Sequence, residues 1–166
     1  MPQINLIGLD PNVEAMIDNY DRKILRALQR DGRLSYTELG KLVGLTTTPC
    51  IERVRKLERQ GYITDYSANL DPKKLETGLI VFVQISLSRS GQHSFSMFRD
   101  AIKALPEVQE CHLVTGHFDF LVKARVKDMT AYRDFLENHL LTVKGVKDST
   151  SIAVMETVKE TMQIPI

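Results

Sequence analysis

No stretch of the 166-residue chain approaches the ~20 consecutive apolar residues that a membrane-spanning helix needs, so no membrane partner is expected. Residues 1–17 lack the basic start and long apolar run of a secretion leader and read as a loosely ordered extension. Cysteine is scarce. Cys50 and Cys111 are far apart and outline no disulfide framework, which makes the cytosol the expected compartment. The four histidines, His93, His112, His117 and His139, fall at no zinc-ligand spacing with either cysteine. Cys111 and His112 are neighbours on a predicted strand, so they point to opposite faces and cannot pair as nucleophile and base. A phosphate-cradling glycine loop and a G-x-S-x-G elbow are both missing. Enzyme, metal and cofactor readings therefore find no support in the residue pattern. A large net charge is absent too: the formal sum is +1. Its distribution is uneven, because residues 18–66 hold ten Lys/Arg against seven Asp/Glu and the remainder twelve against fourteen. The basic first third permits phosphate binding there, although a surplus of this size is also common on solvated surfaces.

That first third reads as three short helices. Asp18 caps a helix whose apolar stripe is Tyr20, Ile24, Leu25 and Leu28, ended by Asp31-Gly32. Ser35-Tyr36-Thr37-Glu38 is a capping box, Leu39, Leu42 and Val43 form the inward face, and Gly44 stops the second helix. Thr46 caps a third helix with Pro49 in its first turn; Cys50, Val54 and Leu57 face inward, and Gly61 ends it. Alternation over 62–70 predicts a strand, the wing or hinge. Two helices joined by Gly44-Leu45-Thr46 fit a helix-turn-helix, whose second helix enters the major groove of double-stranded DNA. The outward positions of the third helix are Thr47, Thr48, Glu52, Arg53, Arg55, Lys56 and Arg59, with Arg53 expected on the solvent side. Arginine can bond two acceptors on guanine, threonine can touch a thymine methyl or a phosphate, and cations toward the helix end suit phosphates. Glu52 and Glu58 read as ion-pair partners of nearby arginines. A plain three-helix bundle with a solvated basic helix has the same spacing.

A polar connection, Leu70 to Gly78, separates domains of 18–71 and 72–166. Residues 79–88 alternate, with Leu79, Val81, Val83, Ile85 and Leu87 on one face and Ile80, Phe82, Gln84, Ser86 and Ser88 on the other. Phe95, Phe98, Ile102 and Leu105 recur at helical spacing, 108–116 and 118–126 read as strands, Asp128 caps a helix through Leu140, and a final strand lies near 146–155. The order β-α-β-β-α-β is a ferredoxin-like sandwich, so the fold class is α+β: a winged helix-turn-helix followed by a βαββαβ domain. Two helices cover one sheet face. The other is expected to be apolar around Phe82 and to pair subunits. The strands lack the aromatic pattern by which such a sheet stacks RNA bases. The turn Thr115-Gly116-His117-Phe118-Asp119 offers a close backbone approach and a carboxylate, a combination suited to an α-amino acid; a simple hairpin turn would use the same residues.

The runs Asp31-Gly32-Arg33-Leu34-Ser35, Val43-Gly44-Leu45-Thr46 and Thr48-Pro49-Cys50-Ile51-Glu52-Arg53-Val54 resemble the helix-turn-helix of the Lrp/AsnC, or feast/famine, regulators. Val108 to Gly116 with Phe118-Asp119 resembles the sensing domain of the same family, and the similarity runs from about Asp18 to about Val158. The resemblance implies a DNA-binding transcription regulator that forms homodimers assembling to octamers and responds to a small amino-acid effector. It implies effector contacts at Leu113, Gly116 and Asp119, together with Thr115, His117, Ile152 and Val154. Gly40 stands where alanine is usual in the family, and His117 occupies a variable position beside the implied ligand.

Overall fold

Asp18 begins the first helix by closing a reciprocal cap: its carboxylate accepts the Asp21 amide at 2.9 Å, and the Asp21 carboxylate accepts the Asp18 amide at 3.3 Å. The computed structural model describes residues 17–88 and 94–166, so the expected extension lies outside the described residues except for Ile17, and so does His93. Within the first unit, α1 spans Asn19–Arg30, α2 Tyr36–Val43 and α3 Thr47–Arg59. Ser35 and Glu38 form the second reciprocal cap, each such cap being worth ~1 kcal/mol. Gly44 adopts φ 81° at the end of α2, a left-handed turn that a β-carbon would strain. The amides of Gly44 and Leu45 both return to the Gly40 carbonyl, at 2.9 and 2.8 Å. A β-carbon on Gly40 would stand 2.8 Å from the Leu45 carbonyl oxygen, so this turn is drawn closer to α2 than an alanine permits without a shift.

Ile24, Leu25, Leu39, Val43, Cys50, Val54 and Leu57 form the buried core of this unit. Three expectations are corrected. Tyr20 and Leu42 are exposed rather than inward, Leu42 at 65%, because three short helices enclose only a narrow centre. Thr46 precedes α3 but makes no side-chain cap bond. No strand forms over 62–70; instead the Tyr62 and Ile63 amides close α3 on the Leu57 carbonyl, and the Tyr66 hydroxyl donates to Glu58 at 3.0 Å. Burial and Glu58 together push the Tyr66 phenol up to about 12. Glu58 is thus committed to Tyr66, not to a neighbouring arginine. The last six residues, Thr161–Ile166, group with this unit, whereas the expected boundary assigned all of 72–166 to the second.

The second unit, Leu70–Glu160, follows the anticipated order: β1 Leu79–Leu87, α4 Ser94–Lys103, β2 Val108–Leu113, β3 Phe120–Val126, α5 Met129–Phe135 continuing into a π-helical turn Leu136–Leu140, and β4 Val146–Ala153. All pairings are antiparallel and the strand order is β2-β3-β1-β4. Val81, Val83, Ile85 and Leu87 alternate onto the helical face with Phe120, Val122, Ala124 and Val126, where they meet Phe98, Ile102, Tyr132, Phe135 and Leu140. The rings of Phe98 and Phe120 lie 4.7 Å apart and tilted, a favourable aromatic contact. Asp128 caps α5 by accepting the Ala131 amide at 2.8 Å.

The other sheet face corrects the expectation of an apolar patch. Phe82, Leu121 and Ile152 share it with Gln84, Lys123 and Arg125. Lys123 bridges Glu110 and Glu160 at 2.9 Å each, and Arg125 reaches Glu160 at 3.1 Å; the two cations are only 14% and 12% exposed. Lys123 holds both carboxyls below their ordinary 4.5, and Glu110 in turn raises Lys123 above its ordinary 10.5. A depressed carboxylate contributes stability that is whole above its ordinary value and is lost as pH falls through its folded value. The raised lysine contributes fully below its ordinary value, and that part is lost as pH rises through its folded value. The stability owed to this network should therefore stay level between about pH 5.5 and 9.5 and decline on both sides. Melting temperatures across a pH series check this, and Glu110→Gln should flatten the acid limb; an unchanged acid limb would assign the stability elsewhere.

Candidate functional sites

Helix α3 has 13 residues, a length of ~20 Å, and its two sides differ sharply. Cys50, Val54 and Leu57 are buried on one, while Thr48, Glu52, Arg55 and Arg59 recur at four- and three-residue steps on the exposed other, with Thr47 exposed in the first turn. Both threonines are at the N-terminal end and Arg55 and Arg59 toward the C-terminal end.

Arg53 does not join that surface, contrary to the expected solvent-side position. Its guanidinium donates to Asp18 at 2.6 Å and to Asp21 at 2.8 Å, and its central carbon lies 5.4 Å from the centroid of the Tyr20 ring. Asp21 is 1% exposed, and Lys56 stands 3.7 Å from its other oxygen, so Lys56 is also drawn partly toward α1. The Asp21 hydrogen bond is the main reason the Arg53 value is raised. Asp18 is held below the usual carboxylate range first by the Asp21 amide; burial opposes this, and Arg53 adds to the lowering. The sequence carried a signal for this: position 53 lies three after Cys50 and four before Leu57, on the border of the buried stripe.

The seven residues implied for an effector do not meet within one chain. Leu113 ends β2 and is exposed; Thr115, Gly116 and His117 are exposed in the following turn, where Gly116 takes φ 135°. Asp119 is half-buried and turned inward. Its carboxylate accepts the Leu87 amide at 2.7 Å, its own amide donates to the Ile85 carbonyl at 2.8 Å, and its carbonyl accepts the Val114 amide at 3.0 Å. It thereby closes the turn and anchors the end of β1. Ile152 lies on β4 and Val154 just beyond it, at the far edge of the sheet from β2. Three inter-strand steps, ~14 Å, separate the two groups. Leu113 also borders a cleft of about 410 Å3 floored by Ile102, Val108 and Phe120, with Arg99 and Lys103 at its rim, which the sequence did not reveal. Burial raises the thiols of both Cys50 and Cys111, so neither is poised as a thiolate. No helix among the described residues is long and apolar enough to cross a membrane.

An exposed basic helix following a tight turn, joined to an α/β unit with a glycine-bearing turn at a strand end, defines a helix-turn-helix regulator with a separate ligand-binding domain. Residues 17–58 match the AsnC-type helix-turn-helix domain, and residues 80–164 match the Lrp/AsnC ligand binding domain. The leucine-responsive regulatory proteins of Klebsiella pneumoniae and Escherichia coli K12 are each 51% identical over 150 residues, covering 90% of this chain and 92% of theirs. A transcriptional regulator from Neisseria meningitidis, solved as an L-Met complex, is 36% identical with a TM-score of 0.87, covering 90% of this chain and 96% of that one. An AsnC family regulator from Agrobacterium tumefaciens is 37% identical with a TM-score of 0.86, covering 90% and 97%. The chain belongs to the Lrp/AsnC family of transcription regulators.

Breaking the Arg53 pair leaves the buried Asp21 carboxylate with Lys56 as its nearest remaining cation and the Asp18 amide as a neutral donor. Arg53→Ala should cost about 2–3 kcal/mol, just below the usual range for a severed buried pair because Lys56 remains. Chemical denaturation of the first unit's transition checks this. A loss under 1 kcal/mol would remove the pair from the determinants of the fold.

Proposed function

We propose that the chain binds double-stranded DNA sequence-specifically through α3, pairs through its C-terminal unit, and changes its DNA affinity or assembly when an amino acid binds. The carrying observation is the exposed stripe Thr48, Glu52, Arg55 and Arg59 with Thr47 at the helix start, opposite a fully apolar stripe. A major groove admits a helix of this width, the N-terminal residues reaching base edges and the later arginines reaching phosphates. Lys56 contributes charge at the margin, and Arg53 orients the helix from beneath. Residues 18–71 act as the DNA-binding domain, and the sheet unit as the sensor and oligomerisation domain. The regulator works without catalysis or cofactor, in the cytoplasm with the chromosome.

Effector binding draws on Leu113, Thr115, Gly116, His117 and Asp119 from one subunit, and on Ile152 and Val154 from another. The separation of these groups across the sheet supports a site completed between subunits of a homodimer or of an octamer built from dimers. One Asp119 oxygen holds the Leu87 amide; the other is the acceptor for an α-ammonium group. The L-Met bound to the Neisseria relative and the leucine response named for the enterobacterial ones favour an apolar α-amino acid. Coupling of this kind is worth about 1–3 kcal/mol.

Arg55→Ala should weaken operator binding at least tenfold in a mobility-shift titration and lower the slope of log affinity against log salt by about 1. Unchanged affinity and slope would take α3 out of the DNA interface. A thermal-shift screen against the twenty amino acids should give a hit among the apolar ones. Asp119→Asn keeps an acceptor for the Leu87 amide while removing the charge, so it should fold normally and lose that hit. An Asn variant that still responds like wild type would place the ammonium elsewhere.

A further inference from the structure

The segment Thr161–Ile166 lies on the DNA-binding unit in a way that the sequence did not foreshadow. The Gln29 side-chain amide pairs with the backbone of Ile164 in both directions, accepting its N–H at 2.5 Å and donating to its carbonyl at 3.1 Å, as a neighbouring strand would. Arg26 donates to the Ile166 carbonyl at 2.5 Å. Ile166 packs against the helical core, and with Ile164 it borders a groove of about 320 Å3 formed by Ile17, Arg22, Leu25 and Tyr62. Immediately before this segment, Glu160 is bound in the other unit by Lys123 and Arg125 of β3, the strand that starts one residue after Asp119.

We infer that Thr161–Ile166 is a coupling strap, a docked segment through which the state of the sensor sheet acts on α1 and so on the recognition helix. The chain passes from one unit to the other twice, at Asn69–Leu70 and at Glu160–Thr161. The second passage leads onto α1, the helix whose Asp18 and Asp21 grip Arg53 of α3. Ile164 remains 69% exposed and Met162 85%, so the strap is kept by a few hydrogen bonds and one packed side chain. An attachment this slight opens at low free-energy cost, which is what a reversible coupling element requires. Where the strap opens, α1 loses part of its cover and the orientation of α3 loosens with it.

Hydrogen exchange of the α1 amides tests this without any effector. A chain ending at Glu160 should exchange these amides at least tenfold faster than wild type, with sedimentation unchanged. Gln29→Ala should also speed exchange, although alanine is the better helix former, so intrinsic propensity predicts the opposite sign. Glu160→Gln touches nothing on α1 and should still speed its exchange two- to fivefold. If the shortened chain fails to fold, Gln29→Ala and Glu160→Gln carry the test; α1 exchange unaltered in both overturns the strap.

The effector limb rests on the function proposed above. Saturating L-leucine or L-methionine should change α1 exchange in wild type, and the change should disappear in the chain ending at Glu160. The same change in both chains would overturn the strap as the coupling route. A wild type whose α1 ignores both amino acids, together with an empty thermal-shift screen, would sink the effector reading, while the effector-free comparisons would still decide the strap.

Discussion

A carboxylate with almost no water around it sets the geometry of the DNA-binding unit. Asp21 is the one buried charged residue among those described, and burying an unpaired charge would cost more than a small helical core can offset. Arg53 and Lys56 answer it from α3, and Tyr20 backs the guanidinium. Apolar contact between Val54, Leu57 and Ile24 is non-directional and tolerates small rotations of one helix on another. A guanidinium fixed between Asp18 and Asp21 does not, so the roll of α3 about its own axis is specified and Thr48, Arg55 and Arg59 are turned outward. The ion pair thus does for the exposed face of α3 what the core alone cannot.

The same economy of charge shapes the sensor sheet. Its helical face is uniformly apolar, as the two-residue period demands, whereas its open face carries Lys123 and Arg125 satisfied by Glu110 and Glu160 of the same chain. These cations are thus paired within the chain, on the face they share with Phe82, Leu121 and Ile152. The network also fixes where the chain leaves the sheet: Glu160 is bound at the last point before the chain returns to the helical unit.

Asp119 shows how a residue proposed for a site can also hold the fold together. The turn from Val114 to Asp119 is closed by its backbone, and the end of β1, where the pairing with β4 shifts register, is anchored by its side chain. A hairpin turn and an effector loop were competing readings of these residues. The hydrogen bonds to Val114, Ile85 and Leu87 establish the first, and the proposed function keeps the second beside it. An alanine here would confuse the two, because it would orphan the Leu87 amide as well as remove the charge.

The sequence by itself determined the elements and their order. Ser35 with Glu38, Asp18, Asp128 and Gly44 act within four residues of themselves, and the alternation of β1 and β3 records which face is dry. These are local signals, and all of them correspond to elements that form. What it left undecided depends on groups remote along the chain. Arg53 finds its carboxylate 32 residues away, Gln29 finds Ile164 135 residues away, and neither distance leaves a period to read. Leu42 satisfies the inward period yet stays exposed, because the period states which side of a helix is apolar and not how far a neighbour extends over it. The strand over 62–70 failed for a related reason: alternation makes a segment competent for pairing, but a strand exists only where another chain segment supplies the ladder. Only the tertiary structure could assign these partners, since it alone brings charges and backbone groups from separate parts of the chain to bonding distance and removes the water that would otherwise satisfy them.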